Sequence, residues 1–273
     1  MSTTGYPHNP LTHPVRALQR ALIEWWHLLQ LGAGILVLAF SPSSYSPANR
    51  TLLAQQIYLN TAPMLLGFSV VCALVTVVLT RIVLVTALSY GLSQYALQVV
   101  IRVLVLELIP LTAALFVALR CTIPDGAELT ALHTSGEVDR DASQSLEFMQ
   151  AEVLPRTVAG LFSGLTLAAL SSVVVLVVAY LASYGFSLSG LATYIRLFGQ
   201  VFSPAVSLIF ALKTLLFCLT VALIPMASAV FGMRNLPAAH ASTVRTSAEM
   251  RGLVRMFALI LLIEVGSLVG NYY

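Results

Sequence analysis

Four ionisable residues, Arg102, Glu107, Lys213 and Glu264, sit inside stretches that are otherwise apolar. A charge at the centre of a bilayer costs about 2.5–3.5 kcal/mol on insertion scales, so such residues face a bundle interior or a wet cavity. Glu107 stands three residues before Pro110, which frees a backbone carbonyl and can bend a helix. Its carboxylate can line or gate a cavity, or it can pair with Lys213 or Arg102. Arg102 and Glu107 are five residues apart, a poor match to the i,i+4 geometry of an α-helix, so a partner on another helix is expected. The Lys213 ammonium can hold a phosphate, or neutralise Glu264 or Glu107 across the bundle. All three together would also suit a proton relay.

The elements that position these residues belong to a membrane. Of 273 residues, 14 are Lys or Arg and 11 are Asp or Glu, so only 9% are charged, while 58% are hydrophobic and the mean hydropathy is +0.90. Soluble domains carry about 25% charged residues. A soluble enzyme, a nucleic-acid binder and a disordered scaffold are excluded, and a net charge of +3 is too small for a phosphate-tracking surface. The single lysine is followed by Thr214, but Ser207 to Leu212 holds no glycine. A phosphate-cradling G-x-x-x-x-G-K-[ST] loop is therefore absent, and ATP-driven work requires a partner. Cys72, Cys121 and Cys218 are widely spaced and read as small packing residues; no metal site is legible.

Residues 1–14 are polar and expected to be flexible. Val15, Leu18, Leu22, Trp25, Trp26 and Leu29 then recur at helical spacing, opposite Arg16, Arg20, Glu24 and His27. This predicts an amphipathic interfacial or re-entrant helix over 15–40, because Leu31–Phe40 is too short to cross. A signal peptide with an apolar stretch over Leu28–Phe40 is the rival reading. Ser41–Pro47 reads as a loop. Five spans are expected near 63–87, 97–119, 157–182, 204–231 and 253–270, giving an all-α membrane protein whose residues 15–273 form a single domain. Gly160 and Gly164 form a G-x-x-x-G pair that favours close packing of the third span.

With the N-terminus inside, Arg16, Arg20, Arg50, Arg120, Arg140, Arg156, Arg234, Arg245, Arg251 and Arg255 fall on the cytoplasmic side, against Arg81, Arg102 and Arg196 outside. The positive-inside rule selects that orientation and places the C-terminus outside. The connection over 121–155 concentrates Asp125, Glu128, Glu137, Asp139, Asp141, Glu147 and Glu152, seven of the eleven acids. Its length predicts one or two short helices. The acids lack calcium-loop spacing, so they read as a solvated, partner-facing surface.

Glu107-Leu108-Ile109-Pro110-Leu111, running on to Ala118-Leu119-Arg120, resembles the E-L-G-P…A-x-R run of the MlaE permeases, membrane subunits of ABC transporters that work with MCE-domain proteins. Further matches are Ala127-Glu128-Leu129, Pro155-Arg156, Phe210-Ala211-Leu212-Lys213, Glu264, and Gln55-Gln56-Ile57-Tyr58 before the first span. The resemblance covers roughly Ala21 to the C-terminus. It implies a dimeric permease in a bacterial inner membrane, a cytoplasmic ATPase on each half and a periplasmic MCE ring. It also implies phospholipid cargo moved between inner and outer membranes, and no cofactor beyond the ATP bound by the partner.

On that reading Glu128, Glu137, Asp139, Arg140, Asp141, Glu147, Glu152 and Arg156 belong to the ATPase-coupling loop. Leu84, Leu88, Tyr90, Tyr95, Leu104, Glu107 and Leu108 are lipid-cavity candidates, although apolar residues at helical spacing are more often ordinary packing. The chain departs from the family pattern at Leu106, where an arginine is usual, at Ile109, where glycine is usual, and at Gly136–Asp141, where an E-Q-[IL] core is usual. The loop departure points to a divergent ATPase or to a second, non-identical permease. A proton-coupled secondary transporter using Glu107, Lys213 and Glu264, and a non-transporting assembly subunit, are the competing classes.

Overall fold

Proline does not open the first span; it lies inside it. In the computed structural model, which describes residues 12–41, 47–134, 146–235 and 241–272, helix α2 runs unbroken over Pro47–Ser89 with Pro63 in its interior. Hydropathy alone places the start of the span at Pro63, with Gln55–Tyr58 as an approach to it. A prolyl residue removes one hydrogen bond, a loss that neighbouring helices and hydroxyl groups make tolerable in membrane helices. Here Thr61 and Ser163 share a hydrogen bond of 2.7 Å directly beside the proline.

Among the described residues five helices are long and apolar enough to cross a membrane: Leu53–Ser89, Tyr95–Leu132, Met149–Tyr184, Pro204–Val230 and Met250–Gly270. No strand occurs among the described residues. The longest seam joins α2 to α7 (Leu154–Tyr184). On α2 the buried positions are Thr61, Met64, Phe68, Cys72, Thr76 and Thr80, a narrow stripe at three- and four-residue spacing. On α7 the buried positions of this seam include Ser163, Leu167, Ser171, Val175 and Ala179, while Gly160 and Gly164 are turned toward span two and the helix of span four. Small residues let the two backbones approach, which is the usual driver of helix association in lipid. A Cβ on Gly160 would meet Thr122 Cγ2 at 2.6 Å, and one on Gly164 would meet Cys218 Sγ at 2.7 Å.

Span two is the centre of the bundle and is not uniformly α-helical. It comprises α3 (Ser93–Ile101), a π-helical stretch over Arg102–Leu108, α4 (Ile109–Val117), a second π stretch over Ala118–Thr122, and α5 (Ile123–Thr134). The i→i−5 bonds are explicit: Ile109 N–H donates to Leu104 C=O, and Ile123 N–H to Ala118 C=O. Thr112 Oγ1 donates to the Leu108 carbonyl at 2.7 Å. A third π stretch, Met149–Val153, leads into α7.

This changes the reading of the 121–155 connection. Its first fourteen residues continue span two as helix. On the far side, α6 (Leu146–Phe148) and the π stretch run straight into span three. Residues 135–145, with Glu137, Asp139, Arg140 and Asp141, lie outside the described residues.

The first helix, α1, covers Thr12–Phe40. It starts ahead of the expected boundary at 15 because Pro14 falls in its first turn, where a missing N–H costs nothing. Residues 1–11 and 42–46 lie outside the described residues. Ile35 of α1 packs with Met226, Leu129 and Val153, while Trp26 and Leu29 are exposed. The connection between spans three and four holds a helix the sequence reading passed over. A 3₁₀ turn at Leu188–Gly190 is followed by α8 (Leu191–Val201), whose Tyr194 and Val201 are buried. The signal was present as Leu191, Tyr194, Leu197, Phe198 and Val201 at helical spacing. Helices α9 (Pro204–Asn235) and α10 (Ala241–Tyr272) complete the fold. Half of the most apolar window of span two and 44% of that of span four are buried, against 22% in span one and 17% in span five.

Candidate functional site

Three spans bring one ammonium and two carboxylates together. Lys213 of α9 donates a direct hydrogen bond to Glu107 Oε2 in the π stretch of span two. Its Nζ lies 2.8 Å from Glu264 Oε2 on α10. The Lys213 side chain is 1% exposed, and those of Glu107 and Glu264 are 14% and 17% exposed. One turn further along α9 the Phe217 ring lies 5.7 Å from the ammonium. That ring is wholly buried with Ala114, Ala118, Val221, Met256 and Ile260, so an apolar cluster covers one side of the charge. An ammonium so enclosed persists only because carboxylates and a ring face replace its hydration.

The π stretch also revises the spacing argument for Arg102. In α geometry residues five apart diverge around the helix. Where hydrogen bonds run from i to i+5, they lie nearly one above the other. Arg102 and Glu107 are the first and sixth residues of such a stretch, so they share a face of span two. The partner expected for Glu107 on another helix is present in Lys213, while nothing in the sequence marks the π winding except the nearby Pro110.

A second polar constellation closes the opposite region of the bundle. Arg156 Nη2 lies 3.1 Å from Glu152 Oε2 and 3.6 Å from Glu128 Oε1. The arginine thereby ties α5 to the start of α7. Beside it Asn60 Nδ2 donates to Asp125 Oδ2 at 3.4 Å, joining α2 to α5. Gly126 allows α5 to sit on α9, where an added Cβ would meet the Pro225 carbonyl oxygen at 3.2 Å. Glu147 is exposed.

The cavity candidates do not converge on one place. Leu104 is 3% exposed and sealed in the main core, and Leu108 packs against that core. Leu88, Tyr90 and Tyr95 are exposed near the turn between spans one and two, and Leu84 is half-buried. Of this set, Glu107 alone joins the charged cluster. The positions where the chain departs from the E-L-G-P pattern, Leu106 and Ile109, are each 2% exposed and pack in the same core. Cys72, Cys121 and Cys218 are buried thiols. Among the described residues no group of three or more His, Cys, Asp and Glu residues is arranged to hold a metal ion.

Five helices long and apolar enough to cross a membrane, with a charge cluster linking three of them, define an integral membrane protein. The family described as Permease MlaE matches residues 53–268, and the chain belongs to that family. It is an ABC-type permease. No curated protein matches the chain.

Proposed function

We propose that this chain is the membrane subunit of a phospholipid transporter in a bacterial inner membrane, its N-terminus cytoplasmic and its C-terminus periplasmic. Two permease copies would work with a cytoplasmic ATPase on each half and a periplasmic MCE-domain ring. The observation that carries the reading is the family match over residues 53–268. It is supported by the lack of any nucleotide-cradling loop in the sequence, which leaves hydrolysis to a partner.

The geometry suggests how force would pass through the chain. The ATPase-facing connection begins in α5 and ends at the Met149–Val153 stretch, and Arg156 grips a carboxylate on each side, Glu128 and Glu152. A push on that connection is therefore delivered to span two and span three together. Span two carries Glu107 into the charge cluster, so spans four and five follow through Lys213 and Glu264. Lipid then passes between the membrane and the periplasmic carrier.

The test is purification through a tag on this chain in mild detergent, native mass spectrometry, and reconstitution into liposomes. Two permease copies, two ATPases and ATP-dependent phospholipid transfer are expected. A lone chain that moves substrate in response to a proton gradient without any ATPase would overturn the reading.

A further inference from the structure

A cleft of about 260 Å³ opens where the start of α7 meets the N-terminal part of α2, lined by Gln55, Gln56, Leu59, Glu152, Pro155 and Arg156 among others. None of these residues belongs to the Glu107–Lys213–Glu264 cluster. Arg156 uses Nη2 for both of its carboxylates, while its Nη1 is buried without a hydrogen-bond partner among the described residues. A buried cationic donor left unmet is costly and calls for an acceptor that the described residues do not supply.

The charges around the cleft restrict what that acceptor can be. One guanidinium faces two carboxylates, Glu128 and Glu152, whose side chains are 63% and 41% exposed. A plain anion would satisfy Nη1 but be repelled by both acids. A plain cation would meet the acids and leave Nη1 unmet. A zwitterion with an acceptor oxygen and an amine bearing N–H donors satisfies both, and the Gln55 and Gln56 amides add donors and acceptors on the opposite wall.

The surroundings favour a lipid over a soluble zwitterion. Leu59 at the lip is 54% exposed, and exposure continues along the same face of α2 through Ala62, Pro63, Leu66 and Val70. That three- and four-residue spacing forms an apolar track leading from the cleft toward the middle of the span. We infer that the cleft is a headgroup site for a phosphoethanolamine lipid, phosphate toward Arg156 Nη1 and amine toward Glu152, with an acyl chain along Leu59, Leu66 and Val70. The inference rests on the lipid-handling reading above, but its test needs neither ATP nor an ATPase.

The full chain is titrated in detergent with phosphatidylethanolamine, phosphatidylglycerol or phosphatidylcholine and bound lipid is counted by native mass spectrometry. Phosphatidylethanolamine should be retained preferentially. The Gln55→Leu/Gln56→Leu pair alters exposed or half-exposed helix positions and leaves the arginine clasp intact. It should lower phosphatidylethanolamine retention about fivefold for each hydrogen bond lost, without lowering retention of phosphatidylglycerol. Arg156→Lys, which keeps the charge, should reduce it further. Equal retention of the three lipids, or an unchanged preference in the glutamine variant, would overturn the site. Displacement of the bound lipid by equimolar glycerophosphoethanolamine would overturn the lipid assignment in favour of a soluble zwitterion. Failure of ATP-driven transfer with the headgroup preference intact would instead count against the transporter reading alone.

Discussion

Lys213 holds Glu264 at 2.8 Å across spans four and five while only 1% of its own side chain is exposed. The same ammonium bonds Glu107 on span two, so its removal leaves two carboxylates facing each other in a largely dry interior. Lys213→Met should destabilise the chain by about 3–5 kcal/mol, the usual cost of stranding a buried charge. The triple variant Lys213→Met/Glu107→Gln/Glu264→Gln should recover much of that loss. Thermal unfolding in detergent followed by size-exclusion chromatography reads both. A single variant as stable as the triple would show that the three groups do not act as one unit.

Gly164 and Cys218 form a similarly specific pair. An added Cβ at 164 would lie 2.7 Å from the cysteine sulfur but 3.4 Å from its Cβ. Gly164→Ala should therefore cost about 1–3 kcal/mol through overpacking. Cys218→Ala, which removes the sulfur, should rescue it. The coupling is measured by a double-mutant cycle on unfolding midpoints, and additive effects would count against the close contact.

At the other end of α7, Tyr194 is 8% exposed and donates to the Leu176 carbonyl at 2.8 Å. Burial, reinforced by the Tyr184 phenol, pushes Tyr194 up to about 12. An unfolded tyrosine ionises near about 10. Below that pH the contribution of Tyr194 is fully present. Between the two values the unfolded chain loses a proton the folded chain keeps, so stability falls as pH rises through the window. Tyr194→Phe should flatten this alkaline limb in unfolding midpoints measured from pH 9 to about 12, at the cost of one hydrogen bond at neutral pH.

The π stretch at Arg102–Leu108 makes span two tolerant of a change that other spans should not survive. Such a stretch holds one residue more than an α-turn, so deleting exposed Val103 lets it close as α-helix with both flanks in phase. Deleting Val77 from α2 instead rotates one half of a continuous α-helix against the other by about 100°. The Val103 deletion should stay monodisperse in detergent and the Val77 deletion should not. Its cost should fall on transport, through a displaced Glu107.

Composition and hydropathy were enough to count the spans and to single out Glu107, Lys213 and Glu264 as residues with a cross-bundle role. An intramembrane charge has few affordable settings, so its presence alone restricts the answer. What stayed hidden depended on backbone geometry. Pro63 reads as a helix start by local rule, whereas the helix runs through it, held against α7 there by the Thr61–Ser163 hydrogen bond. The shared face of Arg102 and Glu107 was invisible because hydropathy does not distinguish α from π winding. Helix α8 was overlooked because it is short, amphipathic and wedged between two stronger apolar signals. The Arg156 clasp joins residues close in sequence to one on α5, and the 121–155 acids looked alike until helix α5 separated Asp125 and Glu128 from Glu147 and Glu152.

Because the most apolar windows of spans one and five are only 22% and 17% buried within the chain, these two spans escape most of the packing constraint that spans two and four impose. Apolar replacements there leave the core of the fold unchanged, and selection on those positions acts through whatever lipid or protein lies alongside. Divergence among relatives should therefore accumulate at the first and last spans in the sizes and shapes of apolar side chains, while the narrow stripe from Thr61 to Thr80 changes slowly.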